Sequence, residues 1–298
     1  MPQLLDYSQI AISAVTGFSK DLKGDPNKIN DLIRHVCLSS ILGHKKRFGK
    51  KYGNIIITTD SNHGYWRKDV FPFYKANRKK SREASDLDWK MIFDTINEIK
   101  NDLIEYFPYP VVNVDKAEAD DIIGVLTKYF QDNDLIASGL FEEPQPIMIV
   151  SADGDHAQLQ KWKNVSQYSP MQRKMIKPSN PMNSLIEKIC SGDSGDGIPN
   201  ICSPDDVFVT EGRQKSFKKI RFNDFFERGI DGCNTDEERR NFSRNETMIS
   251  YEKIPSDLQE KIINEYKKVC VKQNSPGKIR EYLIKHRCRN LMDSISDF

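Results

Sequence analysis

Short apolar blocks alternate with longer stretches of helical periodicity along the first 180 residues. The blocks lie at residues 4–5, 55–59, 111–114 and 147–150. They are rich in Ile, Leu and Val and carry almost no charge, as expected of strands that are buried on both faces. Between them, residues 30–48 and 87–107 place apolar side chains at helical spacing. Strands that alternate with helices predict an α/β fold with a mostly parallel central sheet flanked by helices.

The hydrophobic pattern changes near residue 180. Residues 165–176 are typical of a hairpin, and from Pro181 onward the periodicity is helical. We therefore predict an α/β domain over residues 1–180 and a smaller all-helical domain over residues 181–298. Within the first domain, residues 61–85 fit neither periodicity and are predicted to be irregular.

Acidic residues come where the predicted strands end. Asp6, Asp60 and Asp153 each lie at or just beyond such an end, and Asp155 follows two residues later. Because parallel strands point their carboxyl ends to one edge of a sheet, these side chains are expected to lie close together. Five more acids lie in the first turn of a helix predicted after the third strand and in a glycine-rich turn near residue 195. These are Glu118, Asp120, Asp121, Asp193 and Asp196.

Nine carboxylates at one edge would repel one another unless cations lay between them. An all-oxygen ligand set without histidine favours Mg²⁺ or Mn²⁺ over zinc. Two such ions can activate a water molecule and stabilise the leaving oxygen of a phosphodiester.

Each of these motifs, taken alone, also has a plainer structural interpretation. Asp115 with Glu118 matches a capping box, Asp153-Gly154-Asp155 could be an ordinary turn, and the acids near residue 195 a solvated loop.

A basic and aromatic stretch follows the second predicted strand. Between Arg67 and Arg82, seven Lys or Arg side chains stand against one acid, although the whole chain has a net charge of only +2. Aromatic rings interleaved with cations suit single-stranded nucleic acid, because bases stack on the rings and phosphates pair with the cations. The alternative is that Trp66, Phe71 and Phe73 are core residues beneath a solvated run of charge.

Composition and motifs exclude several other classes of protein. No apolar run approaches the roughly 20 residues of a membrane span, and the N-terminus shows no signal peptide. Six cysteines lie scattered without a Cys-x-x-Cys pair, which favours reduced thiols in a cytoplasm over disulfides or a zinc site. Residues 43–50 resemble a P-loop, but the glycine spacing is wrong and no Ser or Thr follows the lysine, so we reject nucleotide hydrolysis.

The motifs occur in an order that resembles a known family. They are Leu-Asp-Tyr-Ser-Gln from Leu5, Thr-Thr-Asp-Ser from Thr58, Gly-Tyr-Trp-Arg from Gly64, Tyr-Lys-x-x-Arg from Tyr74, Glu-Ala-Asp-Asp from Glu118, Ser-Ala-Asp-Gly-Asp from Ser151 and Gly-Asp-x-x-Asp from Gly192. Together they are similar to the structure-specific 5′ nucleases. That family includes flap endonucleases and the 5′-nuclease domain of bacterial DNA polymerase I, and the ribonuclease H branch of T-even phages is the closest likeness. The resemblance covers residues 4–298 and implies a PIN- or 5′-nuclease-like fold.

The resemblance implies a Mg²⁺-dependent 5′→3′ exonuclease and 5′-flap endonuclease with ribonuclease H activity on RNA·DNA hybrids. Such an enzyme would remove RNA primers and adjoining DNA from lagging-strand fragments in phage-type replication. It would use two Mg²⁺ ions, with Mn²⁺ as a substitute, and bind RNA·DNA hybrid and 5′-flap or nicked DNA. A single-stranded-DNA-binding protein and a sliding clamp are candidate partners. The enzyme would act as a monomer in the cytoplasm of an infected bacterium, without membrane contact.

The resemblance also implies roles for individual residues at the metal ions. The first ion would be held by Asp6, Asp60, Glu118, Asp120 and Asp153. The second would be held by Asp155, Asp193 and Asp196, some of them through water, with Asp121 next to both ions. Lys75 and Arg78 match the basic pair at the base of the family's arch. The catalytic set would then be Asp6, Asp60, Asp120, Asp153, Lys75 and Arg78.

Nucleic acid would be bound by the arch, here residues 61–85, while residues 181–298 would hold the duplex. The arch residues expected to bind are Tyr65, Trp66, Arg67, Lys68, Tyr74, Lys75, Arg78, Lys79, Lys80 and Arg82. One motif departs from the family, because residues 199–206 lack the Gly-x-Gly-x-Lys pattern that usually grips duplex phosphates. Two other functions stay open, a PIN-like endoribonuclease acting on structured RNA and a nucleic-acid-binding module without catalysis.

Overall fold

The computed structural model describes residues 2–17, 26–85, 87–133, 135–138, 141–210, 212–270 and 276–298. The strands in these ranges are β1 (Pro2–Asp6), β2 (Asn54–Thr58), β3 (Val111–Val112), β4 (Leu135–Ser138), β5 (Phe141–Pro144), β6 (Ile147–Val150), β7 (Val165–Ser169) and β8 (Lys174–Ile176). The α-helices are α1 (Tyr7–Gly17), α2 (Pro26–Tyr52), α3 (Trp66–Val70), α4 (Asn77–Glu83), α5 (Trp89–Tyr106), α6 (Ala119–Asn133), α7 (Pro181–Ser191), α8 (Phe222–Arg228), α9 (Asp236–Ile249), α10 (Ser256–Val269) and α11 (Pro276–Lys285). Short 3₁₀ helices cover Gly154–Lys161, Lys219–Arg221, Gly229–Gly232, Tyr251–Lys253 and Arg289–Asp297.

Six strands form one sheet in the order β3-β2-β1-β6-β7-β8. Neighbouring strands run parallel except β7 and β8, which form the hairpin expected from the sequence. Leu5 lies opposite both Ile57 and Val150. The three central strands β2, β1 and β6 therefore end at nearly the same level. The predicted α/β fold with a mostly parallel central sheet is confirmed.

Helices cover both faces of this sheet, and the alternation of side chains along each strand assigns the faces. Leu5 and Ile57 point into a core enclosed by α1, α2, α5 and α11. Leu4 and Ile56, one position earlier on each strand, point into a second core beneath α6 and α10. Burial on both faces explains why the strands are apolar throughout.

A third core joins α7, α8 and α9 and takes Phe71 and Tyr74 from the segment that links β2 to α5. The helices after residue 180 thus divide among three cores, since α10 and α11 pack against the sheet. The domain boundary near residue 180 stays a prediction. No helix in the described ranges is long and apolar enough to cross a membrane.

Two local predictions were wrong. Residues 61–85 are not wholly irregular, because α3 and α4 lie there; with five and seven residues they are too short to show a helical period. The capping box at Asp115 is absent as well, since α6 begins only at Ala119. The side chain that contacts the backbone just before the helix is that of Asp121, whose Oδ2 accepts the backbone N–H of Glu118 at 2.9 Å.

Candidate active site

The carboxyl edge of the sheet carries acids from three neighbouring strands. Asp6 is the last residue of β1, Asp60 follows the end of β2 by two residues, and Asp153 follows the end of β6 by three. Asp6 is 5% exposed. The Asp60 Oδ1 accepts the backbone N–H of Ala119 at 2.8 Å and so fixes the start of α6 at this edge. The strand ends therefore place these acids beside the first turn of α6.

Asp6, Asp120 and His156 form a compact group of potential metal ligands in the described part of the chain. One ligand atom from each lies within 4.8 Å of the others. His156 is fully buried, with its Nε2 at 3.2 Å from the Asp120 Oδ1 and its Nδ1 at 2.9 Å from the Tyr251 hydroxyl. The imidazole therefore holds the Asp120 carboxylate in place next to Asp6.

Burial and repulsion disfavour the ionised form of Asp6, whereas the contact between Asp120 and His156 favours the ionised form of both. Burial, together with the charges of Asp120 and Asp60, raises the pKa of Asp6 to about 8. Burial alone would also raise the pKa of Asp120, but its contact with His156 lowers it below the usual value. The same contact outweighs burial at His156 and raises the pKa of the imidazole. A divalent cation between these oxygens would supply the positive charge that they lack, so the donor set fits a metal ion.

Glu118 is held by basic and phenolic side chains. Its Oε2 accepts from Arg67 Nη1 at 2.8 Å and lies 2.9 Å from the Tyr74 hydroxyl, while Lys75 contacts Oε1. The Tyr74 hydroxyl also lies 2.9 Å from the Asp196 Oδ2. Tyr74 and Lys75 thus connect an acid near the sheet to an acid that comes from beyond α7.

Asp196 lies in a tight loop that is fastened to the arch. Its backbone carbonyl accepts the Lys75 N–H at 2.8 Å, and its carboxylate pairs with the Arg78 guanidinium. Gly197 has a φ of +73°, and a Cβ there would lie 3.1 Å from the Phe73 carbonyl oxygen. Only glycine allows this close approach without strain. The loop therefore brings Asp196 to the basic pair Lys75 and Arg78.

Asp155 and Asp193 share a lysine. The Lys188 Nζ lies 2.9 Å from the Asp193 Oδ2 and 3.9 Å from the Asp153 Oδ1, and it also contacts Asp155. Burial raises the pKa of Asp155 to about 7, although Lys188 acts in the opposite direction. The ammonium thus lies among three acids that the sequence assigned to metal ions.

Comparison with known proteins decides the family. Residues 14–187 match the family described as 5′–3′ exonuclease, N-terminal resolvase-like domain, and residues 179–298 match T4 RNase H, C terminal. The chain is 33% identical to the ribonuclease H of enterobacteria phage T4, over 99% of this chain and 95% of that protein. The chain belongs to the 5′–3′ exonuclease family. The resemblance seen in the motifs is confirmed, and the protein is a nuclease, a metal-dependent phosphodiesterase.

Other relatives of this 5′ nuclease match a smaller part of the chain or match it at lower identity. A 5′–3′ exonuclease of Buchnera aphidicola is 32% identical over 36% of this chain and 30% of that protein. The D15 protein of phage T5, co-crystallised with metal ions, superimposes with a TM-score of 0.63 at 16% identity, covering 90% of this chain and 97% of that one. The T5 flap endonuclease in a pseudo-enzyme–product complex with DNA and metal ions gives a TM-score of 0.65 at 16% identity, covering 91% and 99%. At this identity the structures show the shared fold.

Asp121 does not fit its predicted place beside the ions. It is fully buried, and its Oδ1 lies 2.8 Å from Arg67 Nη1. Its Oδ2 accepts from the Trp66 indole at 3.1 Å and from the backbone of Glu118 at 2.9 Å. Asp121 is therefore paired with Arg67 and positions Trp66 and the start of α6.

The residues predicted to bind nucleic acid differ in how far their side chains are exposed. Trp66, Arg67 and Tyr74 are each at most 6% exposed, which leaves no free ring face or guanidinium for a strand. For these three the prediction does not fit, and for Trp66 the alternative of a core residue is correct. The exposed members are Lys68, Lys79 and Arg82, and the half-buried ones are Tyr65, Lys75 and Arg78. The side chain of Lys80 lies outside the described residues.

Two charged residues of the site, His156 and Lys188, were missed from the sequence. His156 directly follows Asp155, so a histidine beside the Asp-Gly-Asp turn was the available signal. Lys188 lies in the last turn of α7, five residues before Asp193. A helix that ends at an acidic loop can direct a lysine in its last turn toward that loop.

Proposed function

We propose that this nuclease is a Mg²⁺-dependent 5′→3′ exonuclease and 5′-flap endonuclease that also degrades the RNA strand of RNA·DNA hybrids. The observation that carries the proposal is the meeting of Asp6, Asp60 and Asp153 from three adjacent strand ends, with Lys75 and Arg78 beside them. Family membership gives the reaction class, and the name of the T4 relative supports the hybrid substrate. The T5 complex with DNA and metal ions supports a DNA substrate and divalent ions.

The acids would hold two ions in two groups. Oxygens of Asp6, Asp60, Asp120 and Asp153 suit the first ion, and those of Asp155, Asp193 and Asp196 the second. Glu118, also expected at the first ion, is held by Arg67, Tyr74 and Lys75 and would reach the ion only from that network. Mg²⁺ prefers oxygen ligands, so we assign His156 to orienting Asp120 rather than to the ion itself. When bound, the two ions supply an activated water and stabilise the leaving oxygen.

The basic pair would receive the scissile phosphate. Lys75 and Arg78 are half-buried and already paired with Glu118 and Asp196, which fixes their cations beside the acids. Partly desolvated cations that are held in advance stabilise developing charge on a phosphate better than mobile surface cations. These residues would therefore clamp the phosphate against the metal ions.

An activity of this kind suits the removal of RNA primers and adjoining DNA from lagging-strand fragments. The basic arch leads from exposed Lys68, Lys79 and Arg82 to the half-buried pair at the acids. A strand with a free 5′ end could follow that gradient of charge to the metal ions. A monomer acting in the cytoplasm of an infected bacterium, alongside a single-stranded-DNA-binding protein and a sliding clamp, belongs to the same proposal.

Cleavage of a 5′-labelled flap and of a 5′-labelled RNA·DNA hybrid tests the function. We expect Mg²⁺-dependent products from both, and a loss of rate on the order of 10² or more in Asp153→Asn, because electrostatic groups at a reacting centre contribute about that much. Binding of the flap duplex should survive in this variant. Asp115→Asn is the matched control, since Asp115 is 76% exposed and pairs with His63 outside the acid groups. Unchanged cleavage by Asp153→Asn, or products formed in EDTA, would reject the proposal.

A further inference from the structure

A pocket of about 370 Å³ opens beside Asp60 between α1 and α5. Its volume falls within the roughly 300–1,000 Å³ that ligand pockets occupy. Besides Asp60, the side chains that matter are Ser8, Asn62, Tyr65, Phe93, Asn97 and Lys100. The pocket therefore shares one acid with the candidate active site and otherwise has its own lining.

Lys100 is the unusual residue of this pocket. It is 8% exposed, and its ammonium takes part in no hydrogen bond or ion pair with the residues that the structure describes. Burial lowers its pKa, and the more distant charge of Asp60 only partly opposes that effect. Lysine is almost never buried without a partner, because an unpaired cation loses its hydration without compensation. The stem of Lys100 is buried, whereas its unpaired ammonium is available at the pocket wall, where it can bind an anion.

The rest of the lining narrows the choice of anion. Asn62 and Asn97 add amide groups that can donate to phosphate oxygens or to the edge of a base. Tyr65 and Phe93 are half-buried and add aromatic rings on which a base can stack. A small carboxylate would satisfy Lys100 but would leave both rings unused. A nucleotide uses the cation, the amides and the rings together.

We propose that this pocket binds one unpaired nucleotide of the substrate's single-stranded 5′ segment, with its phosphate on Lys100 and its base against Tyr65 and Phe93. The inference rests on the proposed function, because Asp60 connects the pocket to the acids where the strand is cut. A base stacked on Tyr65 and Phe93 cannot stay stacked within a duplex at the same time, so the pocket selects a strand whose bases are unpaired. Lys100 thus adds a contact beyond the basic pair Lys75 and Arg78.

Lys100→Met tests the proposal through binding alone. Fluorescence anisotropy of a 5′-labelled single-stranded oligonucleotide in EDTA, where no cleavage occurs, gives the affinity at several salt concentrations. We expect a loss of about three- to tenfold, and a salt slope that is smaller by about 0.7, the value for one phosphate contact on a single strand. Lys90→Met is the matched control, since Lys90 is an exposed lysine of the same helix, and it should lose less affinity.

Two measurements distinguish a binding role of Lys100 from a structural one. They are the thermal unfolding of Lys100→Met and its affinity for a blunt duplex. Because the ammonium has no ion-pair partner, Lys100→Met should keep or raise Tm. A lower Tm with unchanged oligonucleotide affinity would overturn the proposal, as would an equal loss of affinity for blunt duplex and single strand. Mg²⁺-dependent cleavage by the wild type is measured separately. Failure there would reject the proposed function, whereas equal oligonucleotide binding by Lys100→Met and Lys90→Met would reject only the pocket.

Discussion

At the scale of single residues, Lys188 has the clearest consequence. Its ammonium contacts Asp155 and Asp193, which are proposed to hold the second metal ion, and lies 3.9 Å from the Asp153 Oδ1. A divalent ion and an ammonium repel each other and compete for the same oxygens. Lys188 therefore holds the acids together without metal, and it would oppose an ion that bound to Asp155 and Asp193.

We expect Lys188→Met to strengthen binding of the second ion. A unit charge about 4 Å away contributes roughly 1–4 kcal/mol, so the affinity for Mn²⁺ at that site should rise by about fivefold to several hundredfold. The metal-free protein should become less stable, because three acids would face one another without a cation. Calorimetric titration with Mn²⁺ and thermal unfolding in EDTA measure the two effects. Lys261→Met, at a lysine that is 63% exposed, is the control. Unchanged Mn²⁺ affinity would show that Lys188 does not oppose the ion.

Individual residues also show how far the sequence could predict the site. Asp6, Asp60 and Asp153 could be predicted because each follows an apolar strand, and parallel strands end at one edge. His156 and Lys188 had only weak local signals, a histidine beside the turn and a lysine in the last turn of α7, which comes from a different part of the chain. Their roles depend on distances across the fold, which no local pattern encodes.

At the scale of elements, long periodic segments were predictable and short ones were not. α2 and α5 span 27 and 18 residues, which is enough turns to show a buried face. α3 has five residues, and its Trp66 and Arg67 are buried because they pack on Asp121 of α6. The arch was therefore recognised by charge and aromatic content, while its division into buried and exposed halves required the tertiary structure.

The loop after α7 gives a prediction at this scale. Gly197→Ala places a Cβ 3.1 Å from the Phe73 carbonyl at a φ of +73°. We expect a loss of about 1–3 kcal/mol of stability from backbone strain and slower cleavage, because Asp196 moves away from Lys75. Thermal unfolding and the flap assay measure both. Gly43→Ala is the matched control in α2, where nothing lies within 4 Å of the new Cβ, and it should be neutral or stabilising. Equal behaviour of the two variants would contradict the role of this loop.

At the scale of the whole molecule, the last helix packs with the nuclease core. Arg34 of α2 lies 2.8 Å from Glu98 of α5 and contacts the Tyr282 hydroxyl of α11. Phe298 is 4% exposed, and its ring centroid lies 5.2 Å from that of Phe107. Residues distant in sequence thus share one core beneath the sheet, so the sheet and this core should unfold together.

Phe298→Ala tests whether the molecule unfolds as one unit. Removing a buried phenylalanine typically costs about 3–5 kcal/mol, and the resulting shift in Tm should be roughly 5 °C or more for a chain of this size. Because the ring packs in the core that also encloses α2 and α5, we expect the whole transition to move without splitting. Calorimetry gives the calorimetric enthalpy of unfolding, and circular dichroism at the same scan rate gives the van't Hoff enthalpy. The two should agree if the molecule unfolds as one unit. Ile220→Ala, at a side chain that is 79% exposed, should leave Tm unchanged. A second transition that keeps the wild-type Tm would show that the α/β part unfolds independently of residues 276–298.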